Sequence, residues 1–99
     1  LAVDLVIDPQ AANDLDEAYA WYENQRVGLG EDFLTRVQAC LTVLQRFPEM
    51  HARVHGDYRR ALVRKFPYAI FYEYADNRVT IYSVFHTSQD PEKWKRRLP

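Results

Sequence analysis

The chain holds a single cysteine, three glycines and no long apolar run. Cys40 has no partner for an internal disulfide, and its place in an apolar stretch reads as a small buried thiol, so a reduced, cytoplasmic protein is expected. The longest uninterrupted apolar stretch falls far short of the about 18 residues of a membrane span, and the N-terminus lacks a basic leader pattern. A soluble protein that is not secreted is the expectation, with no membrane partner. No nucleophile elbow, phosphate-cradling glycine loop or dinucleotide fingerprint is present. Ninety-nine residues, 47% of them hydrophobic, accommodate one packed domain, 1–99, since domains run to about 100–150 residues.

Net charge is also nearly absent, at −1, but the total hides an asymmetry. Residues 1–50 carry three Arg against nine acids, and residues 51–99 carry ten Lys and Arg against five. Nine of the 14 aromatic residues lie in the basic half. Arg interleaved with Tyr and Phe suits stacking on bases and equally suits a protein interface. Composition leaves both open.

The acidic half reads as helical and the basic half as strands. Val3 to Ile7 predicts a short strand, and Asp8-Pro9 then signals a helix start, Asp capping free amides and Pro being pre-set for the first position. Ala12, Leu15, Tyr19 and Tyr22 recur at helical spacing, with Ala11 and Ala18 beside them, so the first helix runs to about Gln25. Gly28 and Gly30 punctuate a turn. Glu31 and Asp32 open a second helix whose stripe is Phe33, Val37, Cys40, Leu41 and Leu44, ending before Pro48.

Beyond Pro48 the period falls to two. Tyr58 to Lys65 alternates, placing Ala61 and Val63 on one face and Tyr58, Arg60, Leu62 and Arg64 on the other. Phe66-Pro67 breaks the run, Tyr68 to Tyr74 and Arg78 to Phe85 are two further β-rich segments, and Asp76-Asn77 supplies the turn between them. Asp90-Pro91 opens a short basic helix with Trp94, Lys95, Arg96 and Arg97. The expected fold class is α+β, in the order β-α-α-β-β-β-α, with a helical hairpin packed on one face of a mostly antiparallel four-stranded sheet.

Candidate chemistry is sparse. His51 and His55 have the i, i+4 spacing of a metal pair, but they fall in a predicted loop, and a catalytic zinc wants at least three protein ligands. Two exposed loop histidines are the simpler reading, and no metal or cofactor is expected. His86 ends a predicted strand, where it can act as general acid or base, while Arg59, Arg60, Arg64 and Lys65 can stabilise phosphate charge. Metal-free RNA cleavage needs little more. In the alternative, His86 is a hydrogen-bonded strand-end residue and the Arg pairs solvate an exposed sheet edge.

Five segments in order carry a family resemblance: Asp8-Pro9; Trp21-Tyr22-Glu23; the G-L-G-E-D-F of Gly28 to Phe33; the F-P-Y-A-I-F-Y of Phe66 to Tyr72; and the H-T-S-Q-D-P-E-K-W of His86 to Trp94. Together they resemble the RelE/ParE toxins of bacterial type II toxin–antitoxin, or plasmid-stabilisation, modules. The resemblance implies a growth inhibitor held inactive by a cognate antitoxin. It also implies one of two targets: DNA gyrase for ParE-like members, or ribosome-bound mRNA for RelE-like endoribonucleases.

In a register anchored on Arg64, Tyr68 and Tyr72, the basic groups of the RelE type fall at Arg60, Leu62, Ala69 and about Gln89. Only Arg60 keeps its charge. Their catalytic Tyr falls near Trp94 or Lys95, where no hydroxyl stands. The leading expectation is therefore a non-enzymatic, ParE-like gyrase poison. The alternative is a ribosome-dependent nuclease with His86, Arg60 and Arg64 as catalytic residues, and a third reading binds antitoxin without toxicity. Arg59, Arg60, Lys65, Trp94 and Arg97 are the expected target- or antitoxin-binding residues; for Trp94 the competing expectation is a ring docked on the sheet.

Overall fold

The computed structural model describes residues 3–99. β1 (Asp4–Ile7) leads into α1 (Pro9–Gln25), where the Asp8 carboxylate accepts a hydrogen bond from the Gln10 amide at 3.1 Å and Pro9 takes the first helical position. The same device opens α3 (Pro91–Arg97), with Asp90 accepting from the Glu92 amide at 3.0 Å. α2 (Leu29–Arg46) starts differently. Gly28 sits at φ 91°, a conformation that favours glycine, and the Glu23 carboxylate reaches across from α1 to accept from the amides of Gly28 and Gly30, each at 3.0 Å. The W-Y-E and G-L-G segments are thus two halves of one helix cap.

Gly30 has a second duty. A Cβ at this position would lie 2.8 Å from the Tyr19 ring and 2.9 Å from the Tyr19 carbonyl oxygen, so the two helices cross in direct contact there. The hairpin angle follows from that missing methyl group.

The remaining elements are β2 (Arg53–His55), β3 (Tyr58–Leu62), β4 (Tyr68–Ala75) and β5 (Arg78–His86). They form one sheet in the order β1-β5-β4-β3-β2, parallel between β1 and β5 and antiparallel elsewhere. The sheet has five strands where the sequence predicts four. The extra strand, β2, is three residues long, too short for alternation to register, and only its pairing with Arg59 and Tyr58 makes it a strand. β3 ends at Leu62 rather than Lys65, because Lys65 turns the chain with φ 70°. Asp76 and Asn77 both have positive φ, 53° and 58°, giving the two-residue hairpin turn that matches strand twist.

Both faces of the sheet are covered, one by the helical hairpin and the other by α3, as the docked-ring expectation for Trp94 requires. On one face, Ile70, Tyr72, Val79, Ile81, Ala61 and Val63 pack against Ala11, Ala18 and Tyr22 of α1 and Phe33, Val37, Leu41 and Leu44 of α2. Ala12, expected in the apolar stripe, is exposed. On the other face α3 lays Trp94 flat on Phe71, with ring centroids 4.4 Å apart, beside Ala69, Phe85, Val54 and Leu98. Among the described residues no helix is long and apolar enough to cross a membrane.

Replacing Gly30 with alanine drives a methyl group into the Tyr19 backbone, and the expected cost is about 1–3 kcal/mol. Urea denaturation of Gly30→Ala beside the parent protein measures it; an unchanged midpoint would show that the hairpin crossing is not set there.

Candidate functional site

The expected site residues separate onto different surfaces. Arg60 stands opposite Phe71 in the β3–β4 register, exposed on the sheet face that α3 covers. His86 stands opposite Tyr68, whose ring packs against Tyr22 and Phe33 of the helical hairpin. Cross-strand neighbours share a face, so the sheet lies between Arg60 and His86. Arg64 lies beyond β3 and lines a groove against α2. The three residues of the nuclease reading therefore do not meet in one cleft.

Several expected binding residues are committed elsewhere. The Arg59 guanidinium is half-buried, and its Nη1 donates to the carbonyls of Glu49 at 3.1 Å and His51 at 2.6 Å, tying down the turn before β2. Trp94 is only 8% exposed and belongs to the α3 cluster, so the docked-ring expectation is the one realised. Arg97 pairs with Asp14 through two hydrogen bonds of 3.2 and 2.9 Å, and its guanidinium lies 5.1 Å from the centre of the Phe85 ring. Lys65 is exposed at the rim of a third depression, with Asp32 and Arg36.

The helical hairpin is flanked by two grooves of different character. The first, about 370 Å³, runs between α2 and β3 and is lined by Arg36, Ala39, Cys40, Val43, His51, Leu62 and Arg64. Exposed Val43 and Leu62 form an apolar floor, with Phe47 and Met50 exposed just beyond α2. The lining holds no acid, and among the described residues neither Arg36 nor Arg64 has a carboxylate within ion-pair distance. Arg36 escapes the sequence reading because it flanks the apolar stripe of its helix rather than standing in a charge cluster.

The second groove, about 330 Å³, lies between α1 and the end of β5, where Glu17, Ala18 and Trp21 face Tyr68, His86 and Gln89. His86 is fixed here. The Ser88 backbone amide donates to its Nδ1 at 3.1 Å, and the Ser88 hydroxyl lies 2.7 Å from the same atom. A backbone N–H can only donate, so Nδ1 is the acceptor and the neutral ring carries its proton on Nε2. Nε2 then has no free lone pair with which to take a proton. These contacts are those of the strand-end alternative; they occupy the lone pair a general base would use and leave in place the Nε2 proton a general acid would use.

His51 and His55 part company as well. His51 is half-buried, its Nδ1 3.4 Å from the Tyr72 hydroxyl, while His55 lies edge-on to Trp94 on the opposite face. Only His55 is an exposed residue, and it belongs to β2 rather than a loop. Among the described residues no group of three His, Cys, Asp or Glu gathers in metal-binding geometry. Burial, aided by the nearby Arg59 charge, lowers the His51 pKa below its ordinary 6.5. As pH falls through 6.5 the unfolded chain therefore takes up the proton first, and the contribution of His51 to stability declines. Thermal melts should be level in this respect above pH 7 and fall as the pH drops below about 6.5, a slope that His51→Gln should reduce. An identical slope in the variant would remove His51 as its source.

Comparison with known proteins matches residues 5–91 to the family described as ParE toxin of type II toxin-antitoxin system, parDE. Among solved structures, the chromosomal ParDE system from P. aeruginosa gives a TM-score of 0.66 at 17% identity, covering 87% of this chain and 97% of that one. A mutant of the E. coli toxin RelE in the free state gives 0.71 at 19% identity, with coverage of 96% and 93%. The RelE mutant in complex with an antitoxin RelBc peptide gives 0.65 at 17% identity, with coverage of 100% and 97%. No curated protein sequence matches. The α+β fold is that of both RelE and ParE structures, and the match over residues 5–91 makes this chain a member of the ParE toxin family of type II toxin–antitoxin systems.

Proposed function

We propose that this toxin inhibits growth in the ParE manner, by binding DNA gyrase in the cytoplasm, and that it is not an enzyme. The separation of His86, Arg60 and Arg64 carries this reading. Metal-free phosphodiester cleavage needs a base, an acid and cationic groups around one phosphate, and loss of a single oxyanion donor costs about 10²–10³ in rate. Here one candidate cation lies across the sheet from His86, another lines a different groove, and the Nδ1 lone pair of the histidine is engaged by the Ser88 amide. A protein that acts by binding needs none of these to converge.

The antitoxin reading rests on the α2–β3 groove. Its apolar floor of Val43 and Leu62 between Arg36 and Arg64 is complementary to an acidic amphipathic segment, with anchors buried centrally and charges paired at the rim. On this reading the acidic contacts of the groove fall on Arg36 and Arg64, while Arg60 is exposed on the opposite sheet face and Arg59 and Arg97 already hold the fold.

Purified toxin should block gyrase supercoiling and trap cleaved DNA while leaving ribosome-bound mRNA intact, with His86→Ala as potent as the parent. Codon-specific mRNA cuts abolished by His86→Ala or Arg64→Ala would reverse the assignment. Separately, the double variant Arg36→Glu, Arg64→Glu should weaken the antitoxin complex by about tenfold or more, since like charges then face each other across the interface. Calorimetric titration with the co-encoded antitoxin measures this, and unchanged affinity would move the antitoxin off the groove.

A further inference from the structure

The groove between α1 and the end of β5 differs in sign and chemistry from the one between α2 and β3. Trp21 is 57% exposed, yet its ring is held edge-on against Tyr22 at 5.1 Å, on a helix fixed to the sheet. Glu17 stands one turn before it in the same groove, and Asn13 Nδ2 donates to Glu17 Oε1 at 3.1 Å, leaving Oε2 open. The charges of Asp14 and Arg97 cancel within their ion pair. Outside that pair, Glu17 is the one acid of the lining. A carboxylate beside an exposed indole on a rigid element suits a cation that is both paired and stacked.

The same groove already holds such a group beside Asp14. Arg97 is gripped by the Asp14 carboxylate and lies over the Phe85 ring at 5.1 Å, a guanidinium seated between an acid and an aromatic face. Glu17 and Trp21 repeat that pairing one helical turn further along α1, without an occupant from the described residues. We infer that this groove seats an arginine or lysine side chain of a protein partner other than the antitoxin, with Glu17 as its counter-charge and Trp21 as its stacking surface. The two sides of the hairpin then recognise partners of opposite charge, an acidic segment along α2 and a basic anchor along α1.

The test uses the full-length isotope-labelled protein with N-acetyl-arginine amide as the probe, followed through the Trp21 indole N–H in NMR spectra, the buried Trp94 serving as internal reference. The Trp21 signal should shift saturably. The shift should need at least about fivefold more ligand when the probe is the uncharged citrulline analogue, or when the protein is Glu17→Gln. Equal responses to arginine and citrulline, or a Trp94 shift as large as that of Trp21, would overturn the inference. In cells, Trp21→Ala with Glu17→Lys should lower growth inhibition by about tenfold or more while the toxin still co-elutes with its antitoxin. Loss of co-elution would assign the groove to the antitoxin, and unaltered growth inhibition would leave it without a partner; either result overturns the inference. Neither result bears on the gyrase assignment, which the supercoiling assay decides by itself.

Discussion

A single carboxylate joins the three layers of this toxin. β1 ends where Ile7 pairs with Ile81, but β5 continues to His86, so the outer edge of β5 loses its partner strand. Asp14 of α1 takes over: its Oδ2 accepts from the Val84 amide at 2.9 Å, and the carboxylate also binds Arg97 of α3 in a two-pronged pair. The side chains are only 14% and 25% exposed, and each hydrogen bond is charge-assisted. Removing either partner would leave the other charged in a largely dry site, which is why such junctions tolerate little change. This junction sets α1 along the open edge of β5 and ties it to the helix that closes the opposite face.

The geography of the surface follows from that arrangement. With α3 held down, Trp94 and Phe71 form a second small core, and the sheet becomes a wall buried on both sides. A wall separates. Arg60 and His86 cannot cooperate through it, so two residues of the chain's basic half face different surfaces. The hairpin divides the first face in turn, leaving a cationic, apolar-floored groove along α2 and an aromatic groove that bears Glu17 along α1.

Much of the fold was legible because its determinants are local. The two Asp-Pro starts, the Phe33, Val37, Leu41 and Leu44 stripe and the Asp76-Asn77 turn each act within a few residues, and each stands where the pattern predicts it. β2 was not legible, since a three-residue strand carries no alternation of its own. The candidate site was less accessible still. Exposed cations were expected at Arg59 and Arg97, and both guanidiniums hold the fold instead, one on carbonyls eight and ten residues away and one on an acid 83 residues away.

Sequence by itself determined the element order apart from β2, the main turns, the apolar stripes of the hairpin and the family, because periodicity, capping and ordered motifs reside in short stretches of chain. Tertiary structure alone decided which charges are free. A guanidinium looks the same in any sequence, and its availability depends on whether folding brings a carboxylate or carbonyl to it from a distant part of the chain. For Arg97 it does; for Arg36 and Arg64 no carboxylate among the described residues comes within ion-pair reach.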